Sequence, residues 1–211
     1  MRLGVFGGTF DPVHLAHLIV AERCREAARL DRVLFVPAMQ PPHKAGVPTP
    51  FERRVEMLEL ALAGSEHFAV DQAERERPGP SYTADLLAQL ASRYAGAELF
   101  LILGGDSLAQ LHQWYAPERI VALATLLVVA RPGSEPPDLA GLRQRLGLAA
   151  EAPLRVEVVP APLLELSSTD IRQRCRLGQS IRYLVPRAVE VYIHERRLYR
   201  PPEPPPPGSP S

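Results

Sequence analysis

The chain has 211 residues, of which 46% are hydrophobic, and it carries 24 basic and 24 acidic side chains. This length and composition predict one domain with a substantial core, and the zero net charge argues against a nucleic-acid-binding or membrane-surface protein. No apolar run reaches the length of a membrane span, and the first residues lead into a predicted strand without a signal-peptide pattern. We therefore expect a cytoplasmic protein.

Three residue types are scarce. Cys24 and Cys175 lack metal-type spacing and fall in predicted helices, so we expect two buried or half-buried free thiols. The chain has no asparagine, and Lys44 is the one lysine among its 24 basic residues. Avoidance of a thermolabile residue, together with 23 prolines, favours a thermophilic source, although a biased genomic base composition would produce the same pattern.

The first predicted element is a short buried strand, Arg2 to Phe6, that ends at Gly7-Gly8. A glycine pair lets backbone N–H groups approach a ligand closely. Asp11-Pro12 has the residue types of a helix start, and an amphipathic pattern from His14 to Ala28 predicts the helix itself. Strand, glycine turn and helix in this order predict a phosphate-binding site at the helix N-terminus.

Two histidines, His14 and His17, stand close together at the start of this helix. If both are helical, their side chains share one face about 5–6 Å apart, and such a pair can bind one phosphoryl group. The sequence contains no GxxxxGK[ST], and its first glycines do not form GxGxxG. These absences argue against a P-loop kinase and an ordinary dinucleotide dehydrogenase.

A second short apolar run, Arg32 to Val36, completes a βαβ unit. We expect its two strands to pair in parallel, with the ligand crevice at their carboxyl ends. The following segment, Pro37 to Lys44, reads PAMQPPHK. Its prolines are stiff enough to hold His43 and Lys44 over that crevice.

The next segments are an amphipathic helix from Phe51 to Ala63, a brief strand from Phe68 to Asp71 and a charged turn from Glu74 to Pro80. Ser81-Tyr82-Thr83 then lead into a helix that extends to Tyr94. Because the first N–H groups of a helix are free and partly positive, this N-terminus suits a carboxylate.

A buried-type strand from Glu98 to Leu103 ends in Gly104-Gly105-Asp106, again at a carboxyl edge. Asp106 suits a ribose diol, because an ionised carboxylate accepts hydrogen bonds from two hydroxyls. The most continuous apolar run, Ala124 to Ala130, predicts a central strand buried on both faces. It ends in the turn Arg131-Pro132-Gly133.

The last part of the chain carries a second anion-binding pattern. After a helix between Ser134 and Ala152 and a strand from Arg155 to Val159, the sequence LSSTDIR begins at Leu166. Ser167 and Ser168 can cap a helix whose free N–H groups face an anion, and the arginine that ends LSSTDIR offers a bidentate fork. This pattern predicts a second phosphate site at a helix N-terminus.

GGTFDPVHLAHL and LSSTDIR resemble the two signature motifs of the HxGH nucleotidyltransferase superfamily. Within it, PAMQPPHK, SYTADLL and the spacing from Asp106 to Trp114-Tyr115 are similar to those of the bacterial nicotinate-nucleotide adenylyltransferases. The resemblance covers about residues 2–198. Ala16 departs from the pattern, because relatives have glycine between the histidines, and its added methyl group would lie near a bound phosphate or adenine.

The resemblance implies a single α/β domain over residues 1–199, Rossmann-like, with a mostly parallel sheet of five or six strands flanked by helices. Residues 200–211, RPPEPPPPGSPS, should form a flexible proline-rich tail. The implied reaction is adenylyl transfer from ATP to nicotinate mononucleotide, which gives deamido-NAD and pyrophosphate in NAD biosynthesis. Mg²⁺ would travel with the ATP phosphates.

The resemblance also implies the site residues. The catalytic residues would be His14, His17, Lys44 and Arg172. The residues expected to bind ATP are Gly7, Gly8, Thr9, Phe10, His14, His17, Gly104, Asp106, Ser167, Ser168, Thr169 and Arg172. The residues expected to bind the mononucleotide are Lys44, Ser81, Tyr82, Thr83, Trp114 and Tyr115. In relatives the threonine lies at the nicotinate end of the substrate, and the tryptophan stacks on the pyridine ring.

Two kinds of alternative function stay open: a different acceptor within the same superfamily, and a protein that binds nucleotide without catalysis. The acceptor could be nicotinamide mononucleotide or phosphopantetheine, although enzymes that use phosphopantetheine typically carry threonine where His14 stands. A non-catalytic nucleotide sensor would keep the fold but lose His17 or Arg172, and both are present. The sequence leaves the oligomeric state open.

Overall fold

The sheet has the strand order and direction of a doubly wound α/β protein. The computed structural model describes residues 1–40, 49–77, 79–130, 135–162 and 164–200. Within these residues six strands form one sheet in which all paired neighbours are parallel. They are β1 (Arg2–Gly8), β2 (Arg32–Pro37), β3 (Phe68–Val70), β4 (Glu98–Gly104), β5 (Ala124–Ala130) and β6 (Val156–Pro160). The predicted fold class is therefore confirmed.

The strand order is β3-β2-β1-β4-β5-β6. The chain builds outward from β1 in one direction, then returns to pair β4 with the other side of β1. Ligands of such sheets bind in the crevice beyond the strand carboxyl ends, at the point where the strand order reverses. That point lies here between β1 and β4, where Gly7-Gly8 and Gly104-Gly105 end their strands.

Helices cover both faces of the sheet. The described α-helices are α1 (Leu15–Ala27), α2 (Phe51–Leu62), α3 (Thr83–Arg93), α4 (Gly105–Gln110), α5 (Pro117–Leu123), α6 (Leu139–Arg145), α7 (Ser168–Arg176) and α8 (Arg187–Glu195). Short 3₁₀ helices at Ala73–Glu76 and Leu111–Gln113 precede α3 and α5.

Successive side chains along a strand point to opposite faces of the sheet and pack in two separate hydrophobic clusters. In β4, Leu101 packs in one cluster with residues of α3 and α5, whereas Phe100 and Ile102 pack in the other with residues of α1 and α2. A strand buried on both faces needs apolar residues at every position, which explains the unbroken run in β4. β5 has the same character and is an internal strand between β4 and β6.

The predicted start of α1 is wrong. Asp11-Pro12 does not begin the helix: the Asp11–Pro12 peptide is cis, and α1 begins at Leu15 with His14 as its N-cap. Asp11 is 1% exposed, and its Oδ1 accepts a hydrogen bond from the Tyr199 hydroxyl at 2.6 Å. The carboxylate expected to cap a helix is therefore bound by a residue from the far end of the chain.

The segment predicted as a charged turn also differs. It begins with the 3₁₀ helix Ala73–Glu76, in which the Glu74 side chain is buried. Cys24 and Cys175 are buried free thiols, as predicted. The turn Arg131-Pro132-Gly133 and the tail beyond Arg200 lie outside the described residues. Of the helices in the described ranges, none is long and apolar enough to cross a membrane.

Candidate active site where the strand order reverses

Two adjoining cavities lie beyond the carboxyl ends of β1 and β4. The larger has a volume of about 730 Å³ and the smaller of about 200 Å³. Phe6 at the end of β1 borders both, and so do the β4 residues Ile102 to Gly104. Because the cavities share this wall, ligands that occupy both would meet where β1 and β4 end.

The larger cavity brings together residues from two of the segments predicted to bind ATP. His14, His17, Gly104 and Asp106 all border it. Ala16 borders it as well, so the methyl group that replaces the family's glycine lies in the cavity wall. The structure therefore unites the histidine pair with the carboxyl end of β4.

The two histidine rings are closer than predicted. Their centroids are 3.7 Å apart and the planes are 27° from parallel, so the rings stack. The predicted spacing assumed that both residues are helical, but His14 is the N-cap and has an extended backbone. The backbone N–H of His14 donates to His17 Nδ1 at 3.2 Å. In its neutral form the His17 ring therefore carries its proton on Nε2.

His14 is neutral in the free protein at neutral pH. The side chain is 6% exposed and its Nδ1 has no hydrogen-bond partner among the described residues. Because burial disfavours the charged imidazolium, the pKa of His14 is lowered to about 4. The ring can therefore donate one N–H hydrogen bond to a ligand without bringing a charge of its own.

We expect the free energy of unfolding to fall as the pH drops through the interval where His14 binds a proton only in the unfolded state. The unfolded imidazole has a pKa of about 6.5, whereas the folded one titrates at about 4. Stability should fall in that window by at most about 1.4 kcal/mol for each pH unit. Urea unfolding at several pH values measures this effect.

His14→Gln should remove this part of the pH dependence. His67→Gln provides a matched control, because the His67 side chain is exposed. Wild-type and His14→Gln proteins whose stabilities change in parallel with pH would contradict the assignment of this titration to His14.

The buried ring of Phe10 packs against the ring of His17. It is 1% exposed, and its ring meets those of His17 and Phe6 edge to face, with centroids 5.1 and 5.6 Å away. A Cβ atom at Gly8 would lie 2.9 Å from this ring, so the glycine is required by packing. The Phe10 side chain is thus a core residue, and a contact between Phe10 and ATP stays a prediction for its backbone.

The second predicted phosphate motif docks onto the loop between β1 and α1. The Ser168 hydroxyl donates to the carbonyl of Pro12 at 2.9 Å, and Arg172 Nη1 donates to the carbonyl of Asp11 at 2.7 Å. Ser167 caps α7 by accepting from the backbone N–H of Asp170 at 3.1 Å. The two motifs therefore form one structural unit, as their predicted common role requires.

In this contact, side chains that were expected to bind phosphate are hydrogen-bonded to the protein itself. Arg172 Nη2 lies 3.3 Å from the hydroxyl of Thr169, and Nε is buried without a partner among the described residues. The guanidinium is therefore held against the protein in the free state. Phosphate binding by Ser167, Ser168, Thr169 and Arg172 stays a prediction.

Arg54 is a member of this unit that the sequence analysis missed. It is 1% exposed, and it donates to the carbonyls of Thr9 at 2.8 Å and Thr49 at 3.2 Å. A signal was present in the sequence, because Arg54 falls three residues after Phe51 and one before Val55. Both of these belong to the apolar face of α2.

The smaller cavity collects residues predicted to bind the mononucleotide. Ser81, Thr83 and Trp114 border it together with Gly7 and Gly8. The N-terminus of α3 therefore opens toward the glycine turn that ends β1.

Ser81 also connects this segment to the residues that follow β2. Its backbone N–H donates to the carbonyl of Gln40 at 3.0 Å, and its hydroxyl accepts from the backbone N–H of Gln40 at 3.1 Å. The rings of Tyr82 and Tyr115 pack on each other, with centroids 4.6 Å apart, and neither borders the cavity in the described structure. Substrate binding by these tyrosines stays a prediction, and His43 and Lys44 lie outside the described residues.

Known proteins resemble this chain over most of its length. Residues 5–174 match the cytidylyltransferase-like family model. A protein of Thermomicrobium roseum named probable nicotinate-nucleotide adenylyltransferase is 50% identical over 200 residues, which cover 94% of this chain and 92% of that protein. A protein of Thermus thermophilus with the same name is 46% identical over 200 residues, which cover 95% and 100%.

Solved structures share the fold. The nicotinic acid mononucleotide adenylyltransferase of Plasmodium falciparum complexed with NaAD has a TM-score of 0.75 and 18% sequence identity, and the match covers 94% of this chain and 97% of that one. The same enzyme complexed with APC has a TM-score of 0.73. With the extensive sequence identity above, these findings show that the chain belongs to the nicotinate-nucleotide adenylyltransferase family of the cytidylyltransferase-like proteins.

Proposed function

We propose that this protein transfers the adenylyl group of ATP to nicotinate mononucleotide, giving deamido-NAD and pyrophosphate in NAD biosynthesis. The observation that carries the proposal is the pair of cavities that meet where β1 and β4 end. Of the residues predicted to bind ATP, the larger cavity is bordered by His14, His17, Gly104 and Asp106. Of those predicted to bind the mononucleotide, the smaller is bordered by Ser81, Thr83 and Trp114. The names of relatives 46–50% identical to this chain support the same activity.

The chemistry requires positioning rather than an enzyme nucleophile. A phosphate oxygen of the mononucleotide attacks the α-phosphorus of ATP in line, and the bond from that phosphorus to the oxygen bridging to the β-phosphate breaks. Pyrophosphate leaves with the electron pair of that bond. The protein must hold both phosphates in line and stabilise negative charge on their oxygens.

His14 and His17 would donate hydrogen bonds to the α-phosphate. His17 offers Nε2–H because its Nδ1 already accepts from the backbone. His14 enters the reaction neutral, and a nearby phosphate raises the pKa of an imidazole. Both rings can therefore strengthen their hydrogen bonds as charge accumulates on the transferring group.

The β- and γ-phosphates would lie toward the N-terminus of α7. Its first N–H groups and the Arg172 guanidinium supply positive charge there. Lys44, outside the described residues, would approach the phosphates from the loop after β2. Asp106, which borders the larger cavity, would accept hydrogen bonds from the ribose of ATP.

Mg²⁺ would be held mainly by the nucleotide. The groups near the proposed phosphate positions are imidazole and guanidinium donors, and no cluster of three potential ligand side chains occurs among the described residues. Mg²⁺ commonly binds through substrate phosphates and water with few protein carboxylates, so the residues present fit this arrangement. The ion would neutralise part of the phosphate charge.

The small cavity suits the acid form of the pyridine nucleotide. The free N–H groups at the start of α3 favour a carboxylate over a neutral amide. Trp114 borders the same cavity, and an indole face attracts a cationic pyridinium by about 0.5–2 kcal/mol.

The cytoplasmic location of the protein stays a prediction.

Nicotinate mononucleotide should be adenylated with a kcat/KM at least about tenfold above that of nicotinamide mononucleotide, which is ~1.4 kcal/mol of transition-state stabilisation. Pyrophosphate release with ATP and each acceptor measures the preference, and phosphopantetheine serves as a third acceptor that should give no product. Equal values for acid and amide would contradict the choice of acceptor and leave adenylyl transfer intact. No pyrophosphate with any acceptor would contradict the function itself.

A further inference from the structure

A network of four charged side chains lies behind the small cavity. Glu74 borders the cavity, is 4% exposed, and accepts from Arg77 Nη1 at 3.0 Å. Arg77 Nη2 lies 3.3 Å from Asp85 Oδ2, and Arg119 Nη1 donates to Asp85 Oδ1 at 3.1 Å. Acid and base alternate along this network, so their formal charges cancel.

The network also holds the backbone that leads into α3. The hydroxyl of Ser81 hydrogen-bonds the Glu74 side chain, and Arg77 Nη1 lies 3.4 Å from the carbonyl oxygen of Tyr82. Tyr82 is the N-cap of α3. Its carbonyl therefore fixes the orientation of the peptide whose N–H is the first free donor of the helix.

A buried carboxylate is an unusual wall for a cavity that receives a carboxylate. Burial raises the pKa of Glu74, and the hydrogen bond from Ser81 and the charge of Arg77 oppose that rise. Without Arg77, a charged Glu74 would repel an acidic substituent on the acceptor ring. An amide is neutral and would not experience this repulsion.

We propose that Arg77 is a positioning residue that sets the acceptor preference. It cancels the charge of Glu74 and orients the segment from Ser81 to Thr83, so that the cavity accepts a carboxylate. Arg77 acts through Glu74 and Tyr82 and is not itself a wall of the cavity. This inference rests on the proposed function, because it concerns the site at which that acceptor would bind.

Arg77→Met tests the inference through the two acceptors. At saturating ATP, kcat/KM for nicotinate mononucleotide should fall at least about tenfold, or ~1.4 kcal/mol, mainly through the acceptor KM. The value for nicotinamide mononucleotide should change less, so the ratio of acid to amide falls. The KM of ATP should stay within about twofold of wild type.

Glu74→Gln should have the opposite effect on the ratio. It removes the buried negative charge and keeps an oxygen that can accept from Ser81, so the acid should gain relative to the amide. The double variant Arg77→Met/Glu74→Gln should recover a preference for the acid that Arg77→Met alone has lost. A coupled response of this kind separates the charge of the pair from a general loss of structure.

Arg75→Met is the matched control. Arg75 lies in the 3₁₀ helix that Arg77 follows, but its side chain is 55% exposed and pairs with Glu52 at 3.6 Å. Removal of this cation takes away the same formal charge at almost the same point of the chain. The ratio of acid to amide should stay within about twofold of wild type.

Three results would overturn the inference. One is an equal loss for both acceptors in Arg77→Met, which would mean that Arg77 only stabilises the fold. Another is an equal effect of Arg75→Met on the ratio. The third is a fall of the ratio in Glu74→Gln, which decides the question even if Arg77→Met does not fold. Failure of the proposed function is distinguishable, because the wild-type protein would then adenylate neither pyridine nucleotide.

Discussion

Replacing His17 with alanine should lower kcat for adenylyl transfer by about 10²–10³-fold, and ATP binding should weaken much less. Donors that meet charge only in the transition state have effects of this size on rate. The His17 ring is placed for such a role because the edges of Phe6 and Phe10 and the backbone N–H of His14 fix its position. Steady-state kinetics and nucleotide titration on one preparation separate the two effects.

The variant also loses the hydrogen bond that the His17 ring accepts from the backbone N–H of His14, the N-cap of α1, so its stability must be measured alongside its rate. Loss of an N-terminal cap typically costs about 1 kcal/mol, and kcat should be compared well below the melting temperature of the variant. His67→Ala, which changes an exposed histidine, should keep the wild-type rate. A His17→Ala protein with wild-type kcat would show that this ring only packs against its neighbours.

Replacing Arg54 with methionine should lower the free energy of unfolding by about 3–5 kcal/mol, the usual cost of removing one partner from a buried charged network. Burial lowers the pKa of the Arg54 guanidinium, and the nearby carboxyl of Asp11 opposes that shift. Methionine fills similar volume but cannot donate to the carbonyls of Thr9 and Thr49. It would also remove a positive charge that lies near the buried carboxyl group of Asp11.

Urea unfolding of Arg53→Met provides the comparison. Arg53 precedes Arg54 in α2, but it is partly exposed and pairs with Glu56 and Tyr192 at the surface. Its loss should be clearly smaller, because exposed ion pairs are screened by solvent. Equal destabilisation by the two substitutions would mean that the buried network contributes nothing beyond an ordinary surface arginine.

The parts of the structure that depend on local pattern could be predicted from the sequence. Apolar runs placed β1, β4 and β5, and the parallel arrangement then brought His17 and Asp106 to one edge of the sheet. Thr83 and Trp114 came together for the same reason, since both follow elements that end at that edge. These relations hold because strand direction and periodicity are set by neighbouring residues.

The predictions that failed, and the features that were missed, involve partners far apart in the chain. Asp11 has the residue type of a helix cap, and nothing nearby in the sequence shows that Tyr199 binds its carboxylate. His14 was predicted to lie in a helix that it caps. Glu74 was predicted to lie in a charged turn, whereas its side chain is buried and held by Arg77 and Ser81. Local preference gives way where a long-range hydrogen bond satisfies a buried polar group.

The loop after β1 is held by residues that lie far from it in the sequence. Pro12 receives its hydrogen bond from Ser168, and Asp11 receives others from Arg172 and Tyr199, over separations of 156, 161 and 188 residues. Contacts of such long range require closure of most of the chain and form late in folding. We therefore expect the loop between β1 and α1 to reach its final arrangement late in folding, after α7 and Tyr199 have packed against it.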